Sequence, residues 1–308
     1  MPDSDTRRDS TSLTETFSHG GYSVPYRIDG RLDPEASTIV LIPKTLTTLH
    51  IWDPAVNSLM LKYPQYRIIR YDIRGYTPES MQGVDRLTID LLVEDLRALL
   101  HHLRIARVDA IVGIGLGATI ALGLISRPLP QSQHREDLSI GAFVGVSFPI
   151  GGSRSHTEAI AKKKRLERGD IADRSGMVAL ANYSVARWFS PDARGSREYI
   201  RVRDMVAGAS AEGLRRLVPE VVGSMRSGTT TSPFDTASVL AGLSVPSLLV
   251  CGELDVDLHA EMATYPVVMR QGLGRFAAVR GAARLAICES PCEFADMVGV
   301  WLQGVKHS

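Results

Sequence analysis

The sequence predicts an α/β fold, a mostly parallel central sheet with helices on both faces and a helical insertion, and three observations carry that expectation. Short apolar runs alternate with segments of helical period. One stretch, IVGIGLGATIAL (Ile111–Leu122), reads as a strand, a tight glycine turn and the start of a helix. From about residue 153 to 238 the strand signal lapses, leaving helical segments and loops.

The elements follow in order. TIVLIP (Thr38–Pro43) and YRIIRYD (Tyr66–Asp72) read as strands. Leu92, Leu96, Leu99, Leu100 and Leu103 fall at helical spacing, which predicts an amphipathic helix over 88–105. VDAIVGI (Val108–Ile114) is the next strand, and LGATIALGLIS follows as a helix whose small residues allow close packing on the sheet. A Pro/Gln/Ser-rich connection near 128–138 leads to the strand IGAFVGVSFPI (Ile140–Ile150). VPSLLVCGELD (Val245–Asp255) and RFAAVRG (Arg275–Gly281) restore the strand pattern, and PCEFADMVGVWLQGV closes the chain as a helix. The expected organisation is a disordered tail over 1–17, a core made of 18–152 and 239–308, and a helical lid over 153–238.

The 308 residues suit one large domain with an insertion, or two small domains. A net charge of +1 with no dominant basic stripe argues against a nucleic-acid partner. The run Lys162–Arg165 reads as the solvated face of a helix. Of three cysteines, Cys251 sits in the apolar run SLLVCG and reads as a buried thiol. Cys288 and Cys292 lack a CxxC or histidine-rich setting, so no metal site is expected. The odd count fits a reducing compartment. The first seventeen residues lack the apolar core of a signal or anchor. No apolar run reaches the roughly 20 residues that span a bilayer. The expectation is a cytoplasmic protein with no membrane partner and no cofactor, acting on a small-molecule ligand, with a homodimer left open.

Four stretches carry a resemblance: TLHIWDPAV (Thr48–Val56), YRIIRYDIRGY (Tyr66–Tyr76), RWFSPDAR (Arg187–Arg194) and RGAARLAICESPCEF (Arg280–Phe294). With the order of elements, they resemble the α/β-hydrolase fold, and within it the 3-oxoadipate enol-lactonases and their relatives. The likeness covers most of residues 20–303. It implies a nucleophile at Gly115, an acid at Asp255 in GELD and a histidine at Arg284. Glycine offers no nucleophilic oxygen, and arginine stays protonated and cannot act as base. Loss of either group costs a serine hydrolase around 10⁶ in turnover, so hydrolysis through an acyl-enzyme is not expected. For the same reason Gly115→Ser alone is not expected to restore activity. Glycine at the elbow either relieves strain after activity was lost or makes room for a ligand.

The resemblance also places further candidates. Asp255 and Arg284 should meet, either as a structural ion pair or with part of the Arg284 fork left for an anionic ligand. Lys44 lies in the loop at the pocket mouth, as a surface lysine or a second positive charge. The N–H groups of Thr45 and Leu116 would form an oxyanion hole. His50 is the imidazole expected nearest the site, in packing or as a general base. Trp188 and Phe189 are expected as pocket walls between lid and core. His259 is expected on the rim, and Asp72 and Arg74 are expected to brace loops. Three functions are weighed. The first is a non-hydrolytic enzyme of lyase, isomerase or cyclase type, acting on a small, anionic organic molecule. The second is a catalytically inactive pseudoenzyme serving as a ligand-binding or scaffolding protein. The third is a true hydrolase with an unrecognised nucleophile.

Overall fold

Alternation within the apolar runs builds the sheet. In β3 (Ser37–Ile42), Ile39 and Leu41 join one hydrophobic cluster while Val40 and Ile42 join another. Ile68 and Ile69 of β4 (Tyr66–Tyr71) divide the same way. Successive side chains of a strand point to opposite faces, so a run apolar at every position is buried on both, as parallel sheets are. The computed structural model describes residues 13–33, 35–126, 138–149, 156–223 and 236–306. Six more strands join the main sheet: β1 (Leu13–His19), β2 (Tyr22–Gly30), β5 (Ala110–Ile114), β6 (Phe143–Val146), β7 (Ser247–Gly252) and β8 (Gly274–Val279). The order across the sheet is β1-β2-β4-β3-β5-β6-β7-β8. β2 is antiparallel to both β1 and β4, and every other pairing is parallel.

Helices cover both faces. α1 (Asp53–Lys62) and α8 (Pro291–Lys306) pack on the side of Ile39 and Leu41. α2 (Ile89–His102) and α3 (Leu116–Ser126) pack on the other. Between β6 and β7 run α4 (His156–Trp188), α5 (Arg197–Ala207), α6 (Ala211–Gly223) and α7 (Thr236–Gly242). α4 breaks at Gly176, whose φ of 81° and ψ of 171° lie where glycine alone is at ease. Past the break, Ala181, Ser184, Val185 and Trp188 form one buried stripe at helical spacing. Three of them join the cluster that holds Ile39, and so seat α4 on the core.

The structure corrects several boundaries. Residues 13–17, expected in a disordered tail, belong to β1, which pairs with β2 and buries Phe17. Residues 1–12 lie outside the described residues. The strand expected from Val108 begins at Ala110. Asp109 interrupts it by exchanging hydrogen bonds with Thr38, whose N–H reaches Oδ2 at 2.8 Å. Arg107 and Val108 pair instead with Ser139 and Ile140. The strand expected over 140–150 shortens to Phe143–Val146, ending where Ser147 turns to a φ of 42°. The connection at 127–137, Ile150 and the side chains of Lys162–Arg165 lie outside the described residues. No helix among the described residues is long and apolar enough to cross a membrane.

Candidate functional site

Parallel strands end side by side, and the residues just beyond them form the candidate site. Gly115 follows β5 with φ of 56°, a conformation that costs other residues about 1–2 kcal/mol. Its N–H donates to the Val146 carbonyl at 3.0 Å, tying the elbow to β6. The flanking glycines are needed for a different reason. A Cβ on Gly113 would strike the Ala118 amide, and one on Gly117 would strike the Ile42 carbonyl, so both let α3 press against the strand ends. A Cβ on Gly115 would meet only that of Lys44, at an ordinary 3.5 Å. The centre of the elbow therefore has space, and Lys44 stands beside it.

Lys44 follows β3 and is held by a tight turn. Its carbonyl accepts the Thr47 N–H at 3.2 Å and the Thr47 hydroxyl at 2.9 Å, while Leu46 takes a φ of 66°. A leucine at that angle marks a strained turn held by its surroundings. The Lys44 side chain is not the surface lysine that one reading of the sequence allowed; the residue is 7 % exposed. Nζ rests 3.2 Å from the centre of the Trp188 ring. Among the described residues no carboxylate forms an ion pair with it. Burial lowers its pKa well below the usual lysine value, and the nearby charges of Arg284 and Arg168 lower it further, partly offset by Asp255. The expected site amides flank this group. Neither the Thr45 N–H nor the Leu116 N–H donates to an acceptor among the described residues. Leu116 opens α3, where a helix N-terminus leaves amides free.

Asp255 and Arg284 come together. Nε of Arg284 donates to Asp255 Oδ2 at 3.0 Å, and Nη2 donates to Asp255 Oδ1 at 2.8 Å and to Asp257 Oδ2 at 3.1 Å. Asp255 is 4 % exposed. Burial opposes the charge of Arg284, but the two carboxylates outweigh it and raise its pKa. The loop that carries Arg284 is tied to the end of α4: Leu285 N–H donates to the Trp188 carbonyl at 3.1 Å. Glu289 bridges the same junction, accepting the N–H of Ala283 and of Ser190, each at 2.8 Å.

His50 does not join these groups. Its side chain is 48 % exposed and pairs with Asp53 at 3.2 Å. The short 3-10 turn Leu49–Trp52 sends Leu49, Ile51 and Trp52 inward and leaves His50 outward. Trp188 is buried over Lys44, whereas Phe189 packs edge-on against Tyr199 within the helical segment. Asp72 accepts the Leu49 N–H at 2.5 Å, and Arg74 pairs with Asp95 at 2.8 Å. His259 stacks edge-on against Phe276.

Sequence reasoning passed over Asp257, Glu289 and Ser147. The first two act through loop geometry, which spacing does not reveal. Ser147 is buried, has a positive φ, and places its hydroxyl 3.8 Å from Cys251 Sγ. Its neighbour Val146 receives the Gly115 amide, so it stands next to the elbow. Among the described residues no cluster of histidine, cysteine or acidic groups is arranged for a metal ion.

No family model matches the chain, and no curated protein matches it. Solved structures do. The chain is similar to the enol-lactonase from Burkholderia xenovorans LB400, with 23 % identity and a TM-score of 0.74 over 94 % of this chain and 99 % of that one. It is similar to a hydrolase from Pseudomonas aeruginosa PA01, with 22 % identity and a TM-score of 0.73 over 94 % and 98 %. A thermophilic esterase from Thermogutta terrifontis shares 18 % identity and a TM-score of 0.72 over 96 % and 99 %. The chain thus has the α/β-hydrolase fold, with an enol-lactonase among its structural neighbours. At these identities the likeness carries the fold. The neighbours also overturn one expectation. They are an enol-lactonase, esterases, hydrolases and a bromoperoxidase, which point toward hydrolase-type chemistry. The expected lyase, isomerase or cyclase, and the expected inactive scaffold, are withdrawn on that ground.

Proposed function

We propose that the protein hydrolyses small esters or lactones without an acyl-enzyme, with Lys44 as the general base. One observation carries the reading: a buried lysine with no ion-pair partner among the described residues has its Cβ against a glycine elbow that carries no side chain. A lysine in an apolar, positively charged setting is neutral more readily than one in water, and can then accept a proton. Water attacks the acyl carbon while its proton passes to Nζ. The oxyanion is received by the N–H groups of Thr45 and Leu116. Collapse of the tetrahedral intermediate expels the alcohol, which takes the proton back from Lys44. Trp188 supports the amine, and the core and helical segment, expected as lid, enclose the substrate. Arg284 is spent on Asp255 and Asp257, and acts on Lys44 by repulsion.

The test compares hydrolysis of p-nitrophenyl acetate and of γ-butyrolactone by wild type and Lys44→Met, with folding followed by circular dichroism. Loss of turnover in a folded variant supports the reading, and equal rates overturn it. A fluorophosphonate probe adds a second readout. Stoichiometric labelling of Ser147 would make that strained serine the nucleophile and remove Lys44 from the central role.

A further inference from the structure

We infer that Lys44 is a covalent site for small aldehydes and ketones, condensing with them to an imine over the Gly115 elbow. The inference rests on the proposed reading in placing the Lys44 amine at the substrate position, but it concerns a different ligand class. An ester carries a leaving group and can be resolved by water. An aldehyde or ketone does not, and a neutral amine beside it adds to the carbonyl carbon instead.

Three features favour that addition. The amine is buried on the Trp188 ring, 3.2 Å from its centre, and forms no ion pair with a carboxylate among the described residues. The elbow offers no side chain to compete for the carbonyl, and a Cβ at Gly115 would meet Lys44 Cβ only at an ordinary 3.5 Å. The amides of Thr45 and Leu116 are both unengaged among the described residues, so they can receive the carbonyl oxygen as charge builds on it. The charged groups around the amine are Arg284, Arg168 and Asp255, with the Cys288 thiol also near. The two arginines repel an ammonium and so favour the reactive form.

The step balances. The amine lone pair forms the C–N bond as the carbonyl π pair moves to oxygen. Both amine protons end on that oxygen, which departs as water and leaves a neutral C=N bond.

Lysine occurs at six positions only, 44, 62, 162, 163, 164 and 306, so the site can be mapped against its own controls. Lys62 is the most useful, because it pairs with Asp296 at 2.6 Å and its pKa is raised. The intact protein is treated with propanal and sodium cyanoborohydride near neutral pH, and propylated lysines are quantified by peptide mass spectrometry. Lys44 should be modified about tenfold faster than Lys62, as expected when one amine is far more often neutral than the other. Prior occupation by propanal should also slow ester hydrolysis in proportion to Lys44 labelling. Modification of Lys62 at the same rate as Lys44, or faster, overturns the inference, and the wild-type map needs no variant to fold. Failure of the two proposals is separable. Labelled Lys44 without esterase activity removes the hydrolysis and keeps the imine site. Activity that depends on Lys44 without labelling does the reverse.

Discussion

Two largely enclosed cations follow parallel strands of the same sheet, and the fold treats them in opposite ways. Arg284 is gripped by Asp255 and Asp257 through three hydrogen bonds between 2.8 and 3.1 Å. Lys44, beside the elbow, has an aromatic ring beneath its amine, and the like charges of Arg284 and Arg168 near it. The pair with carboxylates is electrostatically complete, which fixes geometry and leaves little chemistry. Burial and two arginines oppose a charge on the amine without one, against the pull of Asp255 and of the Trp188 face, and its pKa falls. On the proposed reading, the paired cation is structural and the unpaired one carries the chemistry.

The sharpest break of this contrast is at Lys44. Lys44→Met keeps much of the volume and removes the amine. Turnover of an ester should fall by about 10²–10⁴, the usual contribution of a general base. Stability should be unchanged or higher, because a buried ionisable group has gone. A variant that loses activity and also unfolds would place Lys44 with Arg284 as a structural residue.

Arg284→Met should do the opposite. It strands Asp255, 4 % exposed, without its partner. Breaking a buried pair from one side costs about 3–5 kcal/mol. Urea titration should show that loss, and turnover of the folded fraction should fall less than in Lys44→Met, since only the repulsion that helps keep Lys44 neutral is removed. Replacing Asp255 as well, in Asp255→Leu with Arg284→Met, should recover much of the stability. A double variant no more stable than the single one would mean that the pair is not the cause.

The sequence made one half of this contrast legible and hid the other. Apolar runs and leucine spacing marked the central strands and α2 to within a few residues, because burial on both faces leaves a strong pattern. The edge hairpin of β1 and β2 was missed, since residues such as Thr14, Glu15 and Thr16 are as polar as a loop. The contact of Asp255 with Arg284 was expected from their positions in a resembling family, and it forms. Lys44 could be placed near the elbow but not inside the protein, because nothing in PKTLTT announces that Trp188, far along the chain, closes over it. His50 failed for a related reason. A short helical turn decides which way it faces, and one residue of rotation separates it from the buried Ile51.

Acidity supplies a smaller but more specific test. The Lys44 pKa is lowered by folding, below the usual 10.5. Between its folded value and 10.5 the unfolded chain holds a proton that the folded chain lacks. Stability therefore rises with pH through that window, and is flat below it, where both states are protonated. The slope for one such proton is at most about 1.4 kcal/mol per pH unit. Urea midpoints of wild type and Lys44→Met, measured across pH, should differ by this slope. Parallel curves would show that Lys44 keeps its ordinary pKa.

At Gly115 the contrast can be turned into a gain. Gly115→Ser places a side chain at φ of 56°, a cost of about 1–2 kcal/mol. Its Cβ meets only Lys44 Cβ, at 3.5 Å, so packing should add little. From the sequence, this change alone was not expected to create a nucleophile, because Arg284 cannot take a proton. The position of Lys44 alters that expectation. A serine there would have its Cβ 3.5 Å from that of Lys44, and serine with lysine as its base is a known alternative to serine with histidine. Gly115→Ser should therefore gain labelling by a fluorophosphonate at residue 115, and the labelling should vanish when Lys44→Met is added. A folded Gly115→Ser protein that stays unlabelled would mean that the Lys44 amine is not available as a base at the elbow. Labelling that survives Lys44→Met would assign the base to another group.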